Sequence, residues 1–314
     1  MSVAAERAER PRAHAAARAR RLRRSPLRRF VRRLPFYLLL ALIVVWALFP
    51  FYWAFKSAFT ADNDLFKTPV EYIPVHPTLG QFREVLSSNF FLRALLNSTI
   101  VAGSVTLLGL VIGSLAAFAL GRFSFRGRSA TLYLMLSMTI FPQIAILGAL
   151  YTMFTTRLHA WFFTVHPLYD TLGALVVSYM IFTLPLTVWV LTTFMRALPK
   201  DLEEAAYIDG ATPLQAFRRV LLPLVAPGLV TVGLLAFIAA WNEFLYALSF
   251  EETPSHYTVN LAILNFPPPS GSAFQVPWGQ IMAATVVVTV PLIVLTLLLQ
   301  RRILAGLTAG AVKG

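Results

Sequence analysis

The sequence predicts an all-α membrane protein with six transmembrane helices and both termini in the cytoplasm. Three observations predict it. The 314 residues are 57% hydrophobic and 13% charged, with a mean hydropathy of +0.68, whereas soluble domains rarely exceed about half apolar residues. Apolar windows of roughly 20 residues, enough to cross about 30 Å of hydrocarbon, recur at Phe36–Phe55, Leu95–Ala119, Thr131–Phe154, Leu172–Phe194, Ala226–Leu248 and Gly279–Leu299. Lys and Arg fall mostly to one side of that pattern. The two termini and the loops after spans two and four hold 22 of them, against 5 in the other connections. The positive-inside rule puts the richer side in the cytoplasm.

Residues 1–33 form a tail with 12 Arg against Glu6 and Glu9, which carries most of the net charge of +13. Rich in Ala and Arg and without apolar periodicity, it is expected to be disordered and drawn to anionic lipid headgroups. With no aromatic platform for bases, it does not read as a nucleic-acid arm. Residues 34–314 then read as one membrane domain. Arg28-Arg29 and Arg32-Arg33 precede an apolar run, but no small-x-small cleavage site follows, so the first span is expected to be retained. The chain has no cysteine, which excludes disulfides, thiolate metal sites and a thiol nucleophile.

The outer segment Lys56–Arg93 contains Pro69, Pro74 and Pro77, which favour extended stretches, and then Phe82–Leu92, which predicts an amphipathic interfacial helix. In span two, Gly109 and Gly113, with Ala116 and Ala117 beyond them, predict close approach of a second helix. Pro142, Pro185 and Pro291 predict kinks in spans three, four and six. The outer loop Arg157–Thr171 carries Trp161, Phe162, Phe163 and Tyr169, suited to the headgroup boundary. Pro267-Pro268-Pro269 and Gly271 keep Ser249–Pro277 from being helical for long.

Between spans four and five, residues 199–223 interrupt the apolar pattern with charged helix formers. Asp201 and Glu204 predict a capping box, and Gly210 a left-handed helix stop. Thr212 and Gln215 predict a second box, with Pro213 at the first helical position and Pro223 ending the segment. Two short capped helices of this kind are marginal alone, so they are expected to dock on a partner. A polar path through the bilayer is expected at Trp241, Asn242 and Glu243 in span five and at Gln143 in span three. Packing between helices is the alternative reading of Trp241, Asn242 and Glu243, and the leading one for Gln143.

The loop fits the pattern E-A-A-x3-G-x9-I-x-L-P as Glu204-Ala205-Ala206, Gly210, Val220 in place of Ile, Leu222 and Pro223. In that position it resembles the coupling loop of binding-protein-dependent ABC importer permeases. Asn97-Ser98, Ala119-Leu-Gly-Arg-Phe-Ser-Phe-Arg-Gly127, Ala240-Trp-Asn-Glu-Phe244 and the C-terminus from Gln300 are similar to the second permease subunit of maltose/trehalose-type importers. The resemblance covers roughly residues 34–314. It implies a type I importer permease fold and four kinds of partner: the lipid bilayer, a homologous second permease, two cytoplasmic ATPase subunits and an external sugar-binding protein. It also implies that Glu204, Ala205, Ala206, Gly210, Leu222 and Pro223 couple to an ATPase, with Glu204 facing a basic side chain there. Gly306–Gly314 are implied to add contacts to the ATPases.

No catalytic chemistry is expected. The chain lacks a phosphate-binding Gly-x4-Gly-Lys-Ser/Thr loop, so ATP and Mg are expected on partner ATPases. His14, His76, His159, His166 and His256 show no helical metal-pair spacing. A stand-alone ion-coupled carrier would need buried acidic groups in several spans and an inverted repeat, and a membrane enzyme a cluster of His, Asp or Glu at one depth. The sequence shows neither.

Overall fold

The computed structural model describes residues 26–156, 158–160, 163–165, 168–267 and 276–309. It divides into two compact units, Met1–Phe55 and Lys56–Gly314. The first consists of most of helix α1 (Pro26–Ala58), which runs through Pro35 and Pro50. The end of the tail expected to be disordered is therefore helical, while residues 1–25 lie outside the described residues.

In the second unit, α2 (Gly80–Ser87) and α3 (Asn89–Arg122) replace the single interfacial helix expected at Phe82–Leu92. Ser88 separates them, with extended backbone and a hydroxyl that accepts the Phe91 N–H. An N-cap that ends one helix and starts the next explains the break. α4 (Arg128–Met138) and α5 (Gln143–Thr155) follow. They form the third apolar segment, but they are bent by 97° rather than kinked. Pro142 has no N–H and disfavours helical backbone in Phe141 before it. Thr139 Oγ1 and Ser137 Oγ donate back to Leu136 O and Leu134 O, satisfying carbonyls near the break.

Strands β1 (Leu158–Ala160) and β2 (Phe163–Val165) pair antiparallel, the only strands among the described residues. Trp161 and Phe162 lie outside the described residues. α6 (Leu172–Ala197) is continuous through Pro185. The charged segment follows, with α7 (Asp201–Ile208), α8 (Pro213–Ala216) and α9 (Leu222–Leu224). Then come α10 (Ala226–Trp241), α11 (Leu245–Phe250), α12 (Val259–Leu264) and α13 (Trp278–Ala309). The fifth span thus stops at Trp241 instead of reaching Leu248, and α13 continues through Pro291. Pro268, Pro269 and Gly271 lie outside the described residues, as do residues 310–314. Among the described residues, four helices are long and apolar enough to cross a membrane, and up to six crossings result if each bent pair is one span.

α3 and α6 form the central pair. Gly113 and Gly121 hold the approach: a Cβ on them would lie 2.7 Å from Thr187 Cγ2 and 2.8 Å from Met195 Cβ. Ala117, fully buried, lies between them on the same face. Gly109, expected to share this role, has nothing within 4 Å of where a Cβ would stand; the stripe is displaced one turn along the helix. Polar side chains in the long helices mostly satisfy themselves. Ser178, Thr183, Thr187, Thr285 and Thr289 each donate to the carbonyl four residues back, the low-cost arrangement in an apolar medium.

One apolar core gathers Phe91, Val101, Leu175, Tyr179, Trp241, Tyr246 and Phe250. A loop clamp closes its edge. Asp170, at φ 55, accepts the Glu252 and Thr253 N–H groups at 2.9 and 3.1 Å and the Thr253 hydroxyl. His256 Nδ1 stands 3.2 Å from the same carboxylate. Burial alone would raise this carboxyl, but those hydrogen bonds outweigh it and hold it down at about 2. A second core unites Ala117 and Phe118 of α3, Leu191 and Met195 of α6, and Phe217 and Leu221 of the segment that follows α8.

Candidate coupling site

The segment between α6 and α10 is a rigid module built from local rules. α7 begins at Asp201 itself, with Lys200 before it and no side-chain cap. The expected Asp201–Glu204 box does not form. Asp201, Glu203 and Glu204 occupy the first turn, where their charge favours the helix dipole instead. Gly210 closes the helix at φ 84. Its N–H donates to Tyr207 O at 3.0 Å and that of Ala211 to Ala206 O at 2.9 Å, the paired bonds of a Schellman stop.

Thr212 then caps α8. Its hydroxyl accepts from Gln215 N at 3.4 Å while Gln215 Oε1 accepts from Thr212 N at 2.9 Å, with Pro213 at the first position. The helix continues as a π turn over Phe217–Leu221 and then as α9. Pro223 therefore does not end the segment. The chain turns by 76° just after it, before α10. Pro223 and Pro227 lack N–H groups and leave the carbonyls of Arg219 and Pro223 without their helical donors, which accounts for the widened turn and the bend.

The module has two faces. Inward, Glu203 and Ala206 are buried. Arg122, at the end of α3, places Nε 3.3 Å from Glu203 Oε2, with both side chains nearly excluded from solvent. That is a charge contact more than an aligned hydrogen bond, since Nε has no acceptor in line. Arg122 Nη1 also donates to Leu198 O, at the end of α6, at 3.2 Å. The Tyr207 hydroxyl donates to Glu203 Oε1. Burial first and this bond second push that phenol up to about 12. Phe217 packs tilted against Phe118 with ring centroids 4.9 Å apart, so the second helix is rooted in the core.

Outward, Glu204, Ala205, Gly210 and Pro223 are exposed, and Leu222 is half-buried. Ile208 at 86% and Leu214 at 63% exposure stand beside them, apolar side chains left on a charged loop. Ala206, read from the sequence as part of the contact surface, faces this chain's own helices. Sequence reasoning missed Arg122, Glu203 and Tyr207. The helical period was the available signal, since Glu203 and Tyr207 lie four residues apart and so share one side of α7.

The four expected pathway residues come into one neighbourhood. Trp241 is buried and stacks on Phe237, and its Nε1 has no hydrogen-bond partner among the described residues. The Asn242 side chain donates to Ile238 O within its own helix. Glu243 Oε1 accepts the Tyr246 N–H at 3.0 Å and so caps α11. Gln143 has an exposed side chain, while its carbonyl accepts the Tyr246 hydroxyl at 2.9 Å. Asn260 of α12, unforeseen in the sequence, donates to Trp241 O at 2.8 Å and braces the turn. No group of three or more His, Cys, Asp or Glu able to hold a metal occurs among the described residues.

Residues 109–308 match the family described as the binding-protein-dependent transport system inner membrane component. The trehalose transport system permease protein SugB of Mycobacterium tuberculosis is 40% identical over 87% of this chain and 95% of its own length. The trehalose/maltose transport system permease protein MalG of Thermococcus litoralis is 41% identical over 87% and 94%. A crystal structure of a bacterial ABC transporter involved in alginate import contains a chain with this fold, at a TM-score of 0.73, 18% identity, and coverage of 88% of this chain and 98% of that one. With that extent of match, the chain belongs to the binding-protein-dependent transport system inner membrane components, non-catalytic permease subunits of ABC importers.

Proposed function

We propose that this chain is one of two homologous permease subunits in an ATP-driven importer of a disaccharide or oligosaccharide of the maltose/trehalose class. Six crossings with cytoplasmic termini, a basic cytoplasmic tail over residues 1–33 and a permease domain over 34–314 fit the distribution of Lys and Arg. Two ATPase subunits bind ATP and Mg below the membrane, and a sugar-binding protein delivers substrate outside. The observation that carries this reading is the two-faced module. One face is fixed by Arg122 and Phe217 to α3 and α6. The other offers Glu204, Ala205, Ile208 and Leu214 to a partner.

A lever whose two helices are locked together by the Gly210 stop and the Thr212 capping box moves as a body, so closure of the ATPases is passed to the helices rather than absorbed in the loop. Gly210, Leu222 and Pro223 act by setting its shape. Trp241, Asn242, Glu243 and Gln143 form this chain's share of the sugar path, where the exposed Asn242 and Gln143 amides offer the hydrogen-bonding groups that a sugar needs. The substrate class is supported by the names of the two relatives.

The test is uptake of radiolabelled trehalose by the whole transporter in proteoliposomes, assembled with its ATPases and binding protein. Glu204→Lys reverses the only exposed charge within the Glu-Ala-Ala motif and is expected to lower uptake at least tenfold, the scale of losing one charge-assisted contact. Unchanged uptake removes the coupling role.

A further inference from the structure

We infer that Arg122 and Glu203 are positioning residues that join the coupling module to the ends of α3 and α6, so that all three move as one body during transport. This rests on the coupling role proposed above and adds the joint on the other face of the lever. Arg122 reaches two structures at once: the Glu203 carboxylate at 3.3 Å and the Leu198 carbonyl at 3.2 Å. Glu203 in turn accepts from Tyr207 one helical turn along, which spreads the hold over the length of α7.

Neighbouring charges stiffen the same corner. Arg128 Nε and Nη2 donate to Leu120 O and Gly121 O at 2.7 and 2.9 Å. Arg196 Nη2 donates to Leu120 O at 3.3 Å. The last carbonyls of α3, which lack helical donors, thus receive two guanidinium groups. Glu203 supplies the only carboxylate paired there among the described residues. The cost of burying one charge without its partner is large, so the pair resists opening when the lever is pushed.

The absence of native cysteine allows clean labelling at the exposed positions Arg126 and Asp209. Spin labels are attached to cysteines at these sites in the complete transporter, and their separation is measured without nucleotide and with ATP bound. The parent is expected to give one narrow distance that is the same in both states. Glu203→Gln is expected to broaden it and to lower trehalose transported per ATP hydrolysed several-fold, and Glu203→Asp to recover part of that ratio. A parent distance that changes with ATP overturns the joint, as does a narrow distance and full transport ratio in Glu203→Gln. If Glu203→Gln does not assemble, Arg122→Lys takes the same measurement with the same two outcomes. Glu204→Lys is run alongside: if it leaves uptake intact, the coupling reading fails whatever the labels show.

Discussion

Glu251 shows how a single group ties this fold to pH. It is 5% exposed, its Oε2 accepts from Thr258 N at 2.9 Å, and its Oε1 has no partner among the described residues. Burial, reinforced by the charges of Asp170 and Glu243 and opposed by the Thr258 bonds, pushes the carboxyl up from 4.5 to about 8. The folded state therefore favours the neutral acid. The stability this contributes is complete below pH 4.5 and is lost as pH rises through 8. Glu251→Gln keeps the acceptor and removes the charge. The variant is expected to be more stable than the parent at pH 9 by about 1–3 kcal/mol, the cost of a buried unmet group, with little difference at pH 4. Thermal unfolding of the purified complex at both pH values checks it; a gain equal at both contradicts the assignment. Nothing in the sequence distinguishes Glu251 from Glu252, because the difference arises only when the loop folds back between α11 and α12.

Among the elements, legibility follows the range of the interaction. Gly210 and the Thr212–Gln215 box are readable because each bond closes within a few residues. Asp201 misleads because an acidic residue suits both the cap and the first turn, and only the backbone at Lys200 decides between them. The helix contact between α3 and α6 is readable in kind but not in register. Gly113→Ala would set a methyl 2.7 Å from Thr187 Cγ2, on a side chain pinned by its bond to Thr183 O. It is expected to cost about 1–3 kcal/mol through overpacking. Gly109→Ala meets open space and is expected to be neutral. Melting curves of the two variants decide it, and equal losses would show that the stripe is misplaced. The pairing of Arg122 with Glu203 is out of reach, since residues about eighty positions apart carry no shared sequence period.

At the level of the whole molecule, apolar length finds the right segments and misses their shape. Six windows are visible, yet the third is bent by 97° and the fifth is entered through a turn of 76°, because proline removes donors without changing hydropathy. The proposed orientation rests on the charge distribution. Cysteines introduced at Tyr72 and Asp209, both exposed, are expected to react with a membrane-impermeant maleimide from opposite sides: Tyr72→Cys in intact cells after outer-membrane permeabilisation, Asp209→Cys only in inverted vesicles. Labelling of both from one side would refute the topology.

The elbow between α4 and α5 also bears on the surrounding lipid. Two rods meeting at nearly a right angle cannot both stand along the membrane normal, so at least one leans by about half that angle. The depth this segment covers is then set by geometry instead of residue count, and wherever lipid meets the exposed Ile140 and Ile144 its acyl chains tilt, or the bilayer thins, to match it. Transport should accordingly respond to acyl-chain length, with short-chain lipids relieving a deformation that thicker bilayers impose.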